Sequence, residues 1–204
     1  MNTLVCALVY GTRPLDIIHS NLENAGFPFN VKFINTEGIA NALNEGINEF
    51  KQGNYEAITF LANDIIEPKD WLLKKLIALE RYENAGIIAS PLDFERSVPN
   101  NEHIISNWII RKEVIDAVGY FNESMFPYGP IDLDYCERVW VAGFKTYYAC
   151  NFLAKHIGSH AEGNEYGYDK KEMVNKFWGQ FTQDVQAYKN GTKSYEIKYN
   201  QKQS

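Results

Sequence analysis

The sequence predicts an α/β fold, a mostly parallel central sheet with helices on both faces, and three observations predict it. Short runs rich in Val, Ile and Leu alternate with longer stretches whose apolar residues recur at helical spacing. That alternation repeats along the first half of the chain. The connections are short and punctuated by Gly, Pro and Asn, as in βα units.

Leu4–Tyr10 reads as a buried strand ended by Gly11, with Arg13-Pro14 opening a helix over Leu15–Ala25 that Gly26 closes. Val31–Ile34 is a second strand. After Asn35-Thr36-Glu37-Gly38, the residues Ile39, Ala42, Leu43, Ile47 and Phe50 mark one face of a helix. Ala57–Leu61 is a third strand, and Trp71, Leu72, Leu76 and Leu79 mark the helix behind it, opened by Pro68. Ile87–Ala89 is a fourth. Parallel sheets bind ligands beyond the carboxyl ends of their strands, so the site is expected just after Tyr10, Ile34, Leu61 and Ala89. The second half is less regular: His103–Ile110 reads as a strand, Arg111–Val118 and Asp132–Ala142 as helices, and Phe144–Ala149 and Leu153–Ile157 as strands. A helix from Tyr168 to about Lys189 carries Met173, Phe177, Phe181 and Tyr188, and Tyr195–Ser204 reads as a fraying tail.

With 204 residues and 45% hydrophobic composition, the chain suits one globular domain. Its 26 acidic against 20 basic residues give a net charge of −6, which disfavours a protein built to track nucleic-acid phosphates. No apolar run approaches the ~18 residues of a membrane span and no signal-like leader is visible, so a cytoplasmic protein is expected. Cys6, Cys136 and Cys150 are widely spaced in apolar surroundings and read as reduced core residues.

Three places carry residue types suited to chemistry. Asn63-Asp64 follows a central strand directly, where a carboxylate can hold magnesium or manganese against a diphosphate; it is equally a place for a turn or cap residue. Gly129-Pro130 ahead of Asp132 sets that carboxylate at a helix start, where backbone N–H groups favour its ionised form and suit it to general-base work. Asp134 is spaced to pair with Arg138 one turn on. His156 ends a predicted strand and can ligate a borderline metal, although a surface role is the commoner fate of such a histidine. Trp108, Tyr120, Phe126 and Tyr128 precede Asp132 and suit either the core or stacking on a ligand.

Together these segments resemble the family 2 glycosyltransferases of the GT-A, or nucleotide-diphospho-sugar transferase, fold. The likeness runs over most of residues 3 to 160: Arg13-Pro14; Asn44-Glu45-Gly46-Ile47; Phe60-Leu61-Ala62-Asn63-Asp64 with the helix behind it; Gly119-Tyr120-Phe121-Asn122-Glu123; Ile131-Asp132-Leu133-Asp134 with Arg138; Ala142-Gly143-Phe144; and His156 with Gly158-Ser159. The resemblance implies one catalytic domain over residues 1–165, its donor half 1–100 and acceptor half 101–165, with a helix and polar tail over 166–204. It implies that Tyr10, Thr12, Arg13, Asn35, Asn44, Asn63 and Asp64 bind the nucleotide sugar, that Asp64 and His156 hold Mn2+ or Mg2+, and that Asp132 is the base of an inverting transfer to an acceptor hydroxyl. The acceptor stays open among glycans, lipid-linked sugars, proteins, small molecules and modified nucleic-acid bases, and the C-terminal helix offers a surface for a second subunit. Ala62 stands where the family's first DxD acid belongs and Ile131 where it carries Glu. A catalytically silent domain that binds a nucleotide sugar or glycan is the alternative, and a metal-free ligand-binding domain a third reading.

Overall fold

The computed structural model describes residues 1–9, 15–92, 95–104, 107–157 and 169–199. Six strands form the main sheet in the order β2-β1-β3-β6-β5-β7: β1 (Thr3–Leu8), β2 (Asn30–Ile34), β3 (Ala57–Ala62), β5 (Ala85–Ala89), β6 (Ile109–Arg111) and β7 (Lys145–Tyr148). β1 runs parallel to β2 and β3, and β5 parallel to β7, while β6 lies antiparallel between β3 and β5. The remaining strands, β4 (Ile65–Ile66) and β8 (Lys155–His156), pair with each other in a small antiparallel sheet.

Alternate residues of each strand feed two cores, as the pleat requires. Leu4, Cys6, Ile58, Phe60, Ile87 and Ile110 face α2 (Ile39–Gln52), α4 (Lys112–Val118) and α5 (Ile131–Val141). Val5, Ala7, Leu61, Ile88 and Ile109 face α1 (Asp16–Glu23) and α3 (Trp71–Arg81). Helices thus cover both faces. Cys6 and Cys136 are buried in the first core, and all three cysteines are unpaired thiols. No helix among the described residues is long and apolar enough to cross a membrane.

Three sequence expectations change. The strand expected over His103–Ile110 contracts to Ile109–Arg111, because Asn107 takes a left-handed backbone (φ 44°) that an extended run cannot continue. The strand expected over Leu153–Ile157 contracts to Lys155–His156, whose partner β4 is itself two residues long. The end of the chain does not fray over residues 195–199. Ile197 donates its N–H to Val118 O (3.0 Å) and accepts from Tyr120 N–H (3.0 Å), and Tyr199 meets the Tyr120 ring at 5.0 Å. Gly119 permits that close approach: a Cβ there would lie 2.0 Å from Ile197 O.

α6 (Lys170–Lys189) packs on α5 through Phe181 and Tyr188, with Phe177 partly buried against the same core. Arg138 and Asp134 pair as expected, both fully buried with Nε and Oδ2 2.8 Å apart. Tyr188 donates its hydroxyl to Asp134 (3.1 Å), and Arg138 donates to Val118 O (3.1 Å) and Tyr195 O (3.4 Å).

Candidate active site

β3 ends at Ala62, and the turn Asn63–Asp64 hands the chain to β4. The antiparallel register sets Ile65 opposite His156, and Ile157 N–H donates to Asp64 O at 2.8 Å. This miniature sheet brings together two residues 92 positions apart: His156 Nε2 lies 3.3 Å from Asp64 Oδ2. Asp64 is mostly covered and His156 about a third exposed. Adjacent ligand atoms on the octahedron of a divalent cation lie roughly 3 Å apart, given metal–oxygen distances of about 2.1 Å. One carboxylate and one imidazole at this separation fit neighbouring vertices. Ala62 adds no donor, and no cluster of three or more His, Cys, Asp or Glu side chains occurs among the described residues. A metal here would take two protein ligands and fill its shell with phosphate oxygens and water.

Behind the turn lies a buried polar network that the sequence reading missed. Lys75 Nζ is 2.8 Å from Glu67 Oε1, and both side chains are completely buried. Ser90 Oγ donates to the same carboxylate (2.7 and 2.8 Å), as does Asn107 Nδ2 (2.8 Å). Burial pulls the Lys75 ammonium below its usual range, opposed by the Glu67 charge beside it. A signal was present: Lys75 falls in the apolar series Leu72, Leu76, Leu79 on the inward face of α3, where a lysine requires a buried anion.

Asp132 occupies the first turn of α5, and its Oδ1 accepts the Leu133 N–H at 3.0 Å. The helix start was expected to favour the charged form, but burial outweighs it and pushes the carboxyl from 3.8 up to about 6, against backbone N–H bonds and the nearby His103. At that value the carboxyl is ionised at neutral pH and binds a proton more readily than an exposed aspartate. His103 is held by Glu137 (2.9 Å) and lies on the Trp140 ring at 4.4 Å; Lys189 of α6 also reaches Glu137 (2.8 Å).

Asn44, expected to touch the donor, is buried and spent on the protein. Its amide donates to Phe121 O (3.0 Å) and Glu123 Oε1 (2.8 Å), and its oxygen accepts Phe121 N–H (2.7 Å). It clamps α2 to the loop leading toward Asp132. Asn35 is exposed just beyond β2, Asn63 is buried in the turn, and Tyr10, Thr12 and Arg13 lie outside the described residues. Trp108 and Tyr120 are core, whereas Phe126 is exposed and sits at Gly38, where a Cβ would come within 2.6 Å of its ring. The loop before α5 thus reaches the carboxyl end of β2.

No protein-family model matches the sequence, and no curated protein matches it. Solved structures resemble it in shape. TarS from S. aureus in complex with UDP-GlcNAc aligns at a TM-score of 0.62 with 14% identity, over 92% of this chain and 66% of that one. The mannosyltransferase PcManGT from Pyrobaculum calidifontis in complex with GDP-Man and Mn2+ aligns at 0.60 with 11% identity, over 98% and 66%. A197 from STIV aligns at 0.52 with 14% identity, over 78% and 87%. The chain spans about two thirds of the length of the first two. At these identities the likeness is one of fold: the chain has the α/β GT-A fold.

Proposed function

We propose that this chain is a glycosyltransferase that moves a sugar from a nucleoside-diphosphate sugar to an acceptor hydroxyl with inversion. The observation that carries the reading is the Asp64–His156 pair at the carboxyl edge of the sheet, 3.3 Å apart in a fold whose neighbours hold UDP-GlcNAc or GDP-Man with Mn2+. Asp64 and His156 would hold Mn2+ or Mg2+. Such an ion acts as a Lewis acid that neutralises the charge growing on the departing diphosphate.

Asp132 supplies the base. Its carboxylate takes the acceptor's hydroxyl proton as that oxygen bonds to the anomeric carbon, and the bond from that carbon to the diphosphate oxygen breaks, releasing nucleoside diphosphate. A pKa of about 6 suits this role, since it leaves the group charged at neutral pH yet a better proton acceptor than an exposed aspartate. Asn35 and Asn63 remain proposed donor contacts, with Tyr10, Thr12 and Arg13 completing the donor side. Asn44 acts one step back by holding the Phe121–Glu123 segment.

Ala62 and Ile131 support a second reading, a domain that binds the nucleotide sugar without turning it over. Incubation with a panel of nucleotide sugars, Mn2+ and hydroxyl acceptors, with detection of released nucleoside diphosphate, separates the two. Release that requires acceptor and disappears in Asp132→Asn supports transfer. Metal-dependent donor binding without release under any acceptor supports the silent domain.

A further inference from the structure

We infer that Glu67, Lys75, Asn107, Ser90 and Asn21 form a positioning network that fixes the Asn63–Asp64 turn from behind and so sets the geometry of the proposed donor site. The inference rests on the reading of Asp64 given above.

The network's bonds converge on that turn. On its entry side, Ala62 N–H donates to Asn107 Oδ1 at 3.0 Å. On its exit side, Asn21 Nδ2 donates to Ile65 O (2.7 Å) and Asn21 Oδ1 accepts Glu67 N–H (2.9 Å). The two sides are joined underneath, because Asn107 Nδ2 and Lys75 both donate to Glu67, and Lys75 also donates to Asn107 O at 2.7 Å. Trp71 Nε1 donates to Asn21 O (2.8 Å), and its ring lies 4.9 Å from the Lys75 ammonium. Five separate segments, α1, the β3–α3 connection, α3, the loop after β5 and the loop before β6, thereby meet behind two residues.

Stability alone does not account for this construction. A buried ion pair is commonly no more stabilising than apolar groups of similar volume, because desolvation offsets the attraction. Asn107 adds a left-handed backbone at φ 44°, an unfavourable conformation held by its own side chain. Both features gain a purpose if the 3.3 Å spacing of Asp64 and His156 must be kept to within a fraction of an ångström, since a ligand set is only as accurate as the groups that orient it. The network also explains how a turn lacking the first DxD acid can present Asp64 in one orientation.

The test uses the full chain and titrates Mn2+ with a panel of nucleoside diphosphates, followed by the manganese paramagnetic resonance spectrum. Asn107→Gly tolerates the backbone angle and deletes the two side-chain bonds, and Ser90→Ala deletes the bonds to Glu67 with the least disturbance to folding. Phe50→Leu in the opposite core serves as a control for destabilisation alone. All are compared at a temperature where circular dichroism shows each folded. The expected result is roughly tenfold weaker metal-dependent nucleotide binding in Asn107→Gly, a smaller loss in Ser90→Ala, an altered manganese spectrum in both, and wild-type binding in Phe50→Leu. Wild-type affinity and spectrum in folded Asn107→Gly and Ser90→Ala would overturn the inference while leaving the site intact. Binding that Asp64→Ala does not affect, or no binding by wild type, would instead remove the reading on which it rests.

Discussion

Two completely buried ion pairs stand behind the two carboxylates assigned to chemistry, and they are built differently. Glu67–Lys75 lies behind Asp64: its carboxylate receives Lys75, Ser90 and Asn107, and its neighbours grip the backbone of a single turn. Asp134–Arg138 lies within α5, behind Asp132, and its bonds run outward to Tyr188 of α6, to Val118 and to Tyr195. It leaves Arg138 Nη2 without a hydrogen-bond partner among the described residues. The first pair organises a local turn; the second fastens the C-terminal extension to the body. The same chemical device, an ion pair withdrawn from water, thus serves position in one half of the molecule and attachment in the other.

The largest expected effect probes neither pair and sets the scale for both. Asp132→Asn should lower turnover by about 10²- to 10⁴-fold, the usual contribution of a positioned base, with donor affinity retained. Its pH signature is specific. The acid is about 6 in the fold against 3.8 in the open chain, so keeping it charged opposes folding: its stabilising contribution is full below about 4 and is lost as pH rises through 6. Asp132→Asn should therefore raise the melting temperature at pH 8 more than at pH 4. Wild-type kcat/KM should climb through pH 6 as the base ionises.

Next in size is Asp134→Ala. It leaves Arg138 buried and uncompensated, at a cost of about 3–5 kcal/mol read by denaturant unfolding. The comparison sharpens if protease susceptibility rises first in α6 and the 195–199 segment while metal-dependent nucleotide binding by the folded fraction is unchanged. It breaks if that binding falls as it does in Asn107→Gly. Tyr188→Phe removes one hydrogen bond to Asp134 and should cost about 1 kcal/mol by the same assay. Smallest is Lys112→Ala on the solvent face of α4, whose i,i+4 partner Asp116 stays in water. There the change should not exceed about 0.5 kcal/mol and should vanish at high salt, marking what an ion pair contributes when solvent screens it.

The two halves also differ in how far the sequence could be read. Through Ala89 every strand of the main sheet and every helix follows from apolar periodicity, because βα units advertise themselves by alternating strand-like and helix-like runs, whereas the two-residue β4 does not. Past that point the structure depends on contacts between distant residues. β8 exists because His156 meets Ile65, and the 195–199 segment is ordered because Gly119 admits Ile197. The strand at β8 was legible, but neither its partner nor the order of residues 195–199 leaves a local pattern. The site divides the same way: Asp64, His156 and the Asp134–Arg138 pair were visible from spacing and resemblance, whereas Asn44 exchanged its expected donor contact for Phe121. The Glu67–Lys75–Asn107 network needed three dimensions, although a lysine among Leu72, Leu76 and Leu79 hinted at it.

The most direct test of the central claim is calorimetric titration of nucleoside diphosphates into the purified chain, with Mn2+ and then with chelator, repeated on Asp64→Ala and His156→Ala. The account predicts that one nucleotide binds only in the presence of the metal and that each substitution weakens it at least tenfold. Binding that is indifferent to metal, or unchanged in both variants, would contradict the assignment of Asp64 and His156 and leave the GT-A fold without the chemistry proposed for it.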